Sequence, residues 1–132
     1  MPEARTRKAT ATRTLRVLLV EDSENDAMLL LRELRRGGYE PVHERVHTRE
    51  GMEEAWSAAE AGGHPFQIVI SDYYMPRFGA HAALELLRKL DPDVPFIVVS
   101  GKVGEEAAVE IMKAGADDYL TKENMSRLCP VI

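Results

Sequence analysis

Cysteine is nearly missing from this chain, with Cys129 standing alone among 132 residues. No intrachain disulfide can form, and no cysteine-based metal cluster is suggested. Cys129 itself reads as an incidental small apolar residue near the C-terminus. Long hydrophobic runs are missing as well. No stretch approaches the roughly 20 apolar residues of a membrane span, and no apolar signal-peptide core lies near Met1. A membrane partner is therefore not expected, and the expected location is the cytoplasm. Nor is there an excess of positive charge. Seventeen Lys and Arg face 22 Asp and Glu, for a net charge of -5 and a pI near 5.4. That balance argues against direct nucleic-acid binding by the surface as a whole. Internal repeats and low-complexity core segments are also lacking.

What is present fits one domain with one core. Residues 1–14, rich in Thr, Arg and Ala, carry no apolar periodicity and read as a flexible basic leader. From 15 to 132, strand and helix patterns alternate. Leu15–Val20 is a near-continuous apolar run, as expected for a strand buried on both faces. Ser23 and Asp26 form a capping-box-like start to a helix with Ala27, Leu30, Leu31 and Leu34 on one face, stopped at Gly37-Gly38. Tyr39–Val46 is a more polar strand, expected at a sheet edge. Met52, Ala55, Trp56 and Ala59 mark a second helix. The run Phe66–Asp72 is the third strand, and Ala83, Leu86, Leu87 and Leu90 mark a third helix. Val94–Val99 is the fourth strand. Ala108, Ile111 and Met112 mark a fourth helix, and Asp118–Thr121 is the fifth strand. Asn124 is placed to cap a last helix, which is expected to be very short or truncated. This alternation predicts an α/β fold with a doubly wound parallel sheet of five strands and helices on both faces.

Ligands in such sheets bind beyond the carboxyl ends of the strands. Four runs close there on polar residues: Glu21-Asp22, Asp72, Ser100 and Lys122. Each residue alone is unremarkable loop chemistry. Together they put three carboxylates, a hydroxyl and an ammonium on one edge. Three crowded carboxylates repel one another, and a divalent cation with Lys122 relieves that repulsion. Mg2+ requires only one or two carboxylates and oxygen ligands. An ionised Asp72 beside it is a nucleophile for phosphorus, and the cationic groups stabilise the oxygens of a transferred phosphoryl group.

The stretches LLVEDSEND, VISDYYMP and PFIVVSGKVGEEAAVEIMKAGADDYLTK resemble the receiver domain of bacterial two-component response regulators. The likeness runs from Leu15 to about Leu128. It implies a flavodoxin-like fold with strand order 2-1-3-4-5. It also implies that 15–132 acts as a signalling switch rather than an enzyme with a separate substrate, one that catalyses its own phosphorylation and dephosphorylation. Asp72 would be the phosphoacceptor. Glu21, Asp22, Asp72 and the backbone carbonyl of Tyr74 would bind Mg2+. Ser100 would follow the phosphoryl group, Lys122 would pair with it, and Tyr119 would be an aromatic switch that turns inward. Tyr74 and Lys102 would border the approach of the hydrolytic water and lengthen the phosphate's lifetime. The implied partners are a histidine kinase or phosphotransfer protein, docking near Met28 and Leu29, and a downstream output domain or protein. The stretch from Ser100 to Asn124 is similar to receivers that precede sensor or kinase modules in longer chains.

Three features depart from the family pattern. Glu123 stands where a cis-bonded Pro usually follows the lysine, so a trans bond is expected. The loop from Asp72 to Gly79 is one residue short, and the last helix is truncated. Asp26 is expected on the first helix, facing away from the site. Other chemistries fit less well. A haloacid-dehalogenase-type phosphatase needs an acid two residues after its nucleophile, where this chain has Tyr74. A nucleotide or flavin site calls for a first loop that donates amides, and Glu21, Asp22, Glu24 and Asp26 fill that loop. His43, His47, His64 and His81 lack metal-ligand spacing. A constitutive interaction module that never turns over phosphate is the rival of another class, and the complete charge set argues against it.

Overall fold

A computed structural model describes residues 13–101 and 104–132. The chain runs β1 (Arg13–Val20), α1 (Glu24–Arg36), β2 (Tyr39–Val46), α2 (Arg49–Ala61), β3 (Ile68–Ser71), α3 (Ala80–Leu90), β4 (Phe96–Ser100), α4 (Glu105–Lys113) and β5 (Asp118–Thr121). A 3-10 segment (Lys122–Arg127) and a four-residue α5 (Leu128–Val131) follow. The five strands form one sheet in the order β2-β1-β3-β4-β5, and every neighbouring pair is parallel. The parallel sheet is what the alternation predicts, and its flavodoxin-like strand order is what the resemblance implies.

The strands divide the core by their two-residue period. Leu18, Val20, Val69, Phe96 and Val98 face α2, α3 and α4, where Met52, Trp56, Leu84, Leu87 and Ile111 pack on them. Val17, Leu19, Ile68, Ile70, Ile97 and Val99 face the other way, onto Ala27, Leu30, Leu31 and Leu34 of α1 and Leu128 of α5. Both faces are therefore covered, which is why the central runs are apolar without alternation.

Local chemistry fixes the ends of the elements. Ser23 Oγ accepts from the Asp26 amide at 3.2 Å and starts α1. Thr48 Oγ1 does the same for α2, accepting from the Gly51 amide at 2.9 Å. Gly38, with φ of 96°, turns the chain from α1 into β2 in a region that disfavours other residues. Gly37 is needed for a different reason, since a Cβ there would lie 2.1 Å from Cys129 Sγ. Cys129 is thus not incidental: its thiol donates to the Glu33 carbonyl at 3.6 Å and closes the C-terminal segment onto α1.

Several sequence expectations shift. Of the leader expected at 1–14, residues 1–12 lie outside the described residues. Arg13 and Thr14 open β1, because they pair with Tyr39 and Glu40 of β2. The Arg13 guanidinium also lies 5.4 Å above the centre of the Tyr39 ring. Asn124 does not cap a helix. It sits inside the 3-10 segment with φ -111° and ψ 32°, a kink that delivers the fully buried Leu128 to the α1 face. On α4 the inward face is narrower than its spacing predicts. Ile111 is buried, Ala108 is half-buried and Met112 is exposed. Leu90, at the end of α3, is likewise at the surface. The Lys122–Glu123 bond is trans, as expected without proline.

Candidate functional site

Ladder hydrogen bonds carry the acidic residues to the carboxyl edge of the sheet. The Glu21 amide donates to the Val46 carbonyl at 2.9 Å, and the Asp72 amide to the Val20 carbonyl at 2.9 Å. β1 and β3 therefore end side by side, with Val20 opposite Ser71. One carboxylate oxygen from each of Glu21, Asp22 and Asp72 lies within 4.8 Å of the others. Asp22 is exposed, Asp72 half-buried and Glu21 buried, at 1% exposure.

Glu21 is the most stressed of the three. Its Oε2 accepts from the Ser23 amide at 3.1 Å, but its Oε1 is buried with no hydrogen-bond partner among the described residues. Burial raises its pKa to about 7. The charge of Asp72 adds to the rise, and the Ser23 amide and Lys122 offset only part of it. An orphaned carboxylate oxygen facing two further carboxylates is a set of hard oxygen donors that suits a divalent cation. The residues present therefore fit the metal that the resemblance implies.

β4 and β5 bring the remaining groups. Ser100 ends β4, is buried, and lies opposite Thr121. Lys122 follows at once. Its Nζ is 3.8 Å from Glu21 Oε1 and only 2.5 Å from Asp26 Oδ2. Burial lowers its pKa, but the hydrogen bond to Asp26 and the charges of Glu21 and Asp72 outweigh that and raise it overall.

The Asp26 contact corrects the expectation that this residue faces away from the site. A signal for it was present in the sequence. Asp26, Leu30 and Leu34 are spaced four apart, so they share one side of α1. Leu30 and Leu34 are buried against the sheet, which puts Asp26 on the same side one turn higher, at the carboxyl edge. Arg45 was also not foreseen. Its guanidinium donates to the Glu21 carbonyl at 3.2 Å and pairs with Glu24 at 3.8 Å, bracing the loop that carries the acidic pair.

The aromatic residues depart from expectation in a different way. The Tyr119 ring packs on the α2–α4 side of the core, and its hydroxyl is already buried without a hydrogen-bond partner among the described residues. Its inward position is thus the one this structure holds. Burial raises the pKa of the phenol, with smaller contributions from Tyr73 and Asp72. The Tyr74 side chain is 74% exposed and stands in solvent, not as a packed wall over Asp72. Lys102 lies outside the described residues. Met28 and Leu29 are 64% and 44% exposed, so neither is a half-buried core residue.

Comparison with known proteins agrees with this geometry. The family model of the response regulator receiver domain matches residues 17–132. The chemotaxis protein CheY of Thermotoga maritima is 31% identical over 107 residues, covering 81% of this chain and 84% of its own length. The transcriptional regulatory protein PrrA of Mycobacterium tuberculosis is 38% identical over 107 residues. That match covers 81% of this chain but only 43% of PrrA. A crystal structure of a response regulator from Burkholderia pseudomallei, with a phosphorylated aspartic acid, a calcium ion and citrate, aligns with a TM-score of 0.62 at 30% identity. It covers 82% of this chain and 59% of that one. With the family model spanning nearly all the described residues on this fold, the chain belongs to the response regulator receiver domain family.

Proposed function

We propose that this receiver domain takes a phosphoryl group from a histidine kinase or phosphotransfer protein onto Asp72, with Mg2+, and so switches a partner-binding surface. The observation that carries the reading is the buried, unpartnered Glu21 Oε1 beside the oxygens of Asp22 and Asp72, with the Lys122 ammonium 3.8 Å away. In the reaction an Asp72 carboxylate oxygen attacks phosphorus. The bond from phosphorus to the donor breaks, the donor leaves with the electron pair, and an acyl phosphate remains. Glu21, Asp22, Asp72 and the Tyr74 carbonyl would hold Mg2+, which when bound would supply the positive charge that lets the carboxylates and the phosphoryl oxygens crowd together. The Tyr73 amide donates to Asp72 Oδ1 at 2.8 Å, which orients the carboxylate. Lys122 pairs with a phosphoryl oxygen, and the Ser100 hydroxyl donates to another.

The switch runs through Ser100 and Tyr119. Because the Tyr119 hydroxyl is already buried, phosphorylation would fix the inward ring rather than bring it in. The surface around α4 and β5 would carry the signal to an output domain or protein. Met28 and Leu29, exposed on α1, are the candidate contacts for the phosphodonor protein. The chain acts as a switch that catalyses its own phosphorylation and dephosphorylation, in the cytoplasm. No helix among the described residues is long and apolar enough to cross a membrane.

Incubation with acetyl phosphate and Mg2+, read by intact mass, tests the reading. A single added phosphoryl group is expected in wild type and none in Asp72→Asn. Labelling that survives in Asp72→Asn, or that needs no divalent cation, would overturn it.

A further inference from the structure

We propose that Asp26 is a positioning residue that holds Lys122 back from the phosphoryl site, so that its carboxylate sets how readily Asp72 accepts a phosphoryl group. The proposal rests on the receiver reading of Asp72 and Lys122 given above. Three observations carry it. Lys122 Nζ makes its short contact with Asp26, at 2.5 Å, and a looser one with Glu21, at 3.8 Å. No ion pair joins Lys122 to Asp72 within 4.0 Å among the described residues. The pair is also sheltered, with side-chain exposures of 21% for Lys122 and 32% for Asp26, so solvent and salt screen it less than a pair on the open surface.

The geometry is built in. Asp26 is fixed in the first turn of α1, where its amide donates to the Ser23 cap, and the next residue, Ala27, is buried in the core. Lys122 is the residue after β5, so the sheet sets its backbone position. A short hydrogen bond between two charges is among the stronger polar contacts in a protein. An ammonium satisfied by Asp26 must loosen that contact to follow a phosphoryl oxygen on Asp72. An interaction that is stronger before the reaction than in its transition state raises the barrier. Asp26 would therefore act through Lys122 as a brake on both phosphoryl uptake and retention.

The test uses the phosphoryl analogue beryllofluoride with saturating Mg2+, and its equilibrium affinity is the readout. Asp26→Asn should bind beryllofluoride about five- to tenfold more tightly, the value of one partly sheltered charged contact. It should also gain speed with acetyl phosphate by a similar factor. Asp26→Glu keeps the charge and should stay near wild type. Asp26→Ser gives a second reading should the amide disturb the first turn of α1. In a Lys122→Ala background, Asp26→Asn should have no effect on beryllofluoride affinity. Unchanged or weaker binding in Asp26→Asn overturns the proposal, since Asp26 would then be neutral or would steer Lys122 into place. An equal gain in the Lys122→Ala background also overturns it, by reducing the effect to general relief of negative charge. If wild type itself binds no beryllofluoride in Mg2+, both this inference and the receiver reading fall. If wild type binds and Asp26→Asn does not differ, only this inference falls.

Discussion

The two edges of the sheet treat charge in opposite ways: the acidic set at one has Glu21 buried, while the pair at the other is half-buried Arg88 with exposed Asp117. Where the strands begin, the Arg88 guanidinium of α3 donates to the carbonyls of Val94 and Gly115, each at 2.8 Å, and meets Asp117 Oδ2 at 3.3 Å. The same Asp117 oxygen accepts from the Phe96 amide at 2.7 Å. Both charges of this cluster have partners, and the cluster ties α3 to the starts of β4 and β5. Where the strands end, among the described residues Glu21 keeps an orphaned oxygen, three carboxylates crowd together, and the Lys122 ammonium leans towards Asp26. One edge is stabilised by its charges, and the other is held in spite of them. The second edge has the more to gain from a bound ligand, because an unsatisfied site gains most from what binds it.

The largest expected effect that sharpens this contrast is at Glu21. Its carboxyl ionises near pH 7 in the folded chain, against an ordinary value of 4.5. Unfolded chains lose that proton first as pH rises, while the folded chain retains it. In the metal-free protein, stability should therefore fall between about pH 4.5 and 7, by about 3 kcal/mol in all. Glu21→Gln should abolish most of that fall and leave the metal-free variant more stable than wild type at pH 8, by chemical denaturation. Mg2+ should release protons on binding and remove the fall in wild type. A flat stability profile in metal-free wild type would show that the two edges do not differ as described.

Next in size is the opposite edge. Arg88→Ala strips the carbonyls of Pro92, Val94 and Gly115, and Asp117, of a partner and should cost about 2 kcal/mol. The cost should be the same with and without Mg2+, because the cluster lies at the far end of the strands. A loss that Mg2+ rescues would mean the edges are coupled.

The smallest expected change in stability is at Asp22, which is exposed. Asp22→Asn should leave unfolding within about 0.5 kcal/mol of wild type, yet lower Mg2+ affinity at least about tenfold. Asp26→Asn should lower it less, since Asp26 belongs to Lys122 and not to the acidic set. Calorimetric titration of Mg2+ into both variants makes the comparison, and equal losses would undo the division of roles.

Much of this was legible because it depends on neighbours in the chain. β2 and β5 have the bounds their residue patterns predict. The cap at Ser23 and the apolar faces of α1 and α2 follow from side chains three and four apart. Asp22, Asp72, Ser100 and Lys122 were legible as a set because parallel strands must end on one edge. Two shortfalls share one cause, contacts between residues far apart in the chain. Arg13 and Thr14 carry no apolar signal, and only pairing with Tyr39 and Glu40 makes them strand. Cys129 matters only because Gly37 and the Glu33 carbonyl come within reach of it. The Thr48 cap, by contrast, is local: its side chain reaches an amide only three residues on.

The sequence by itself determined the order of elements, the hydrophobic face of α1, the polar endings of the strands and the family. Those properties follow from periodicity and residue chemistry, which act over a few residues. Only the tertiary structure decided how the charges at the strand ends share partners. Glu21 is held by the Val46 carbonyl at the end of β2 and by the Ser23 amide that precedes α1, and Lys122 reaches it from the end of β5. The choice of Lys122 between Asp26 and Asp72 joins residues 96 positions apart. Electrostatics act through space and through burial, and neither exists until the chain has folded.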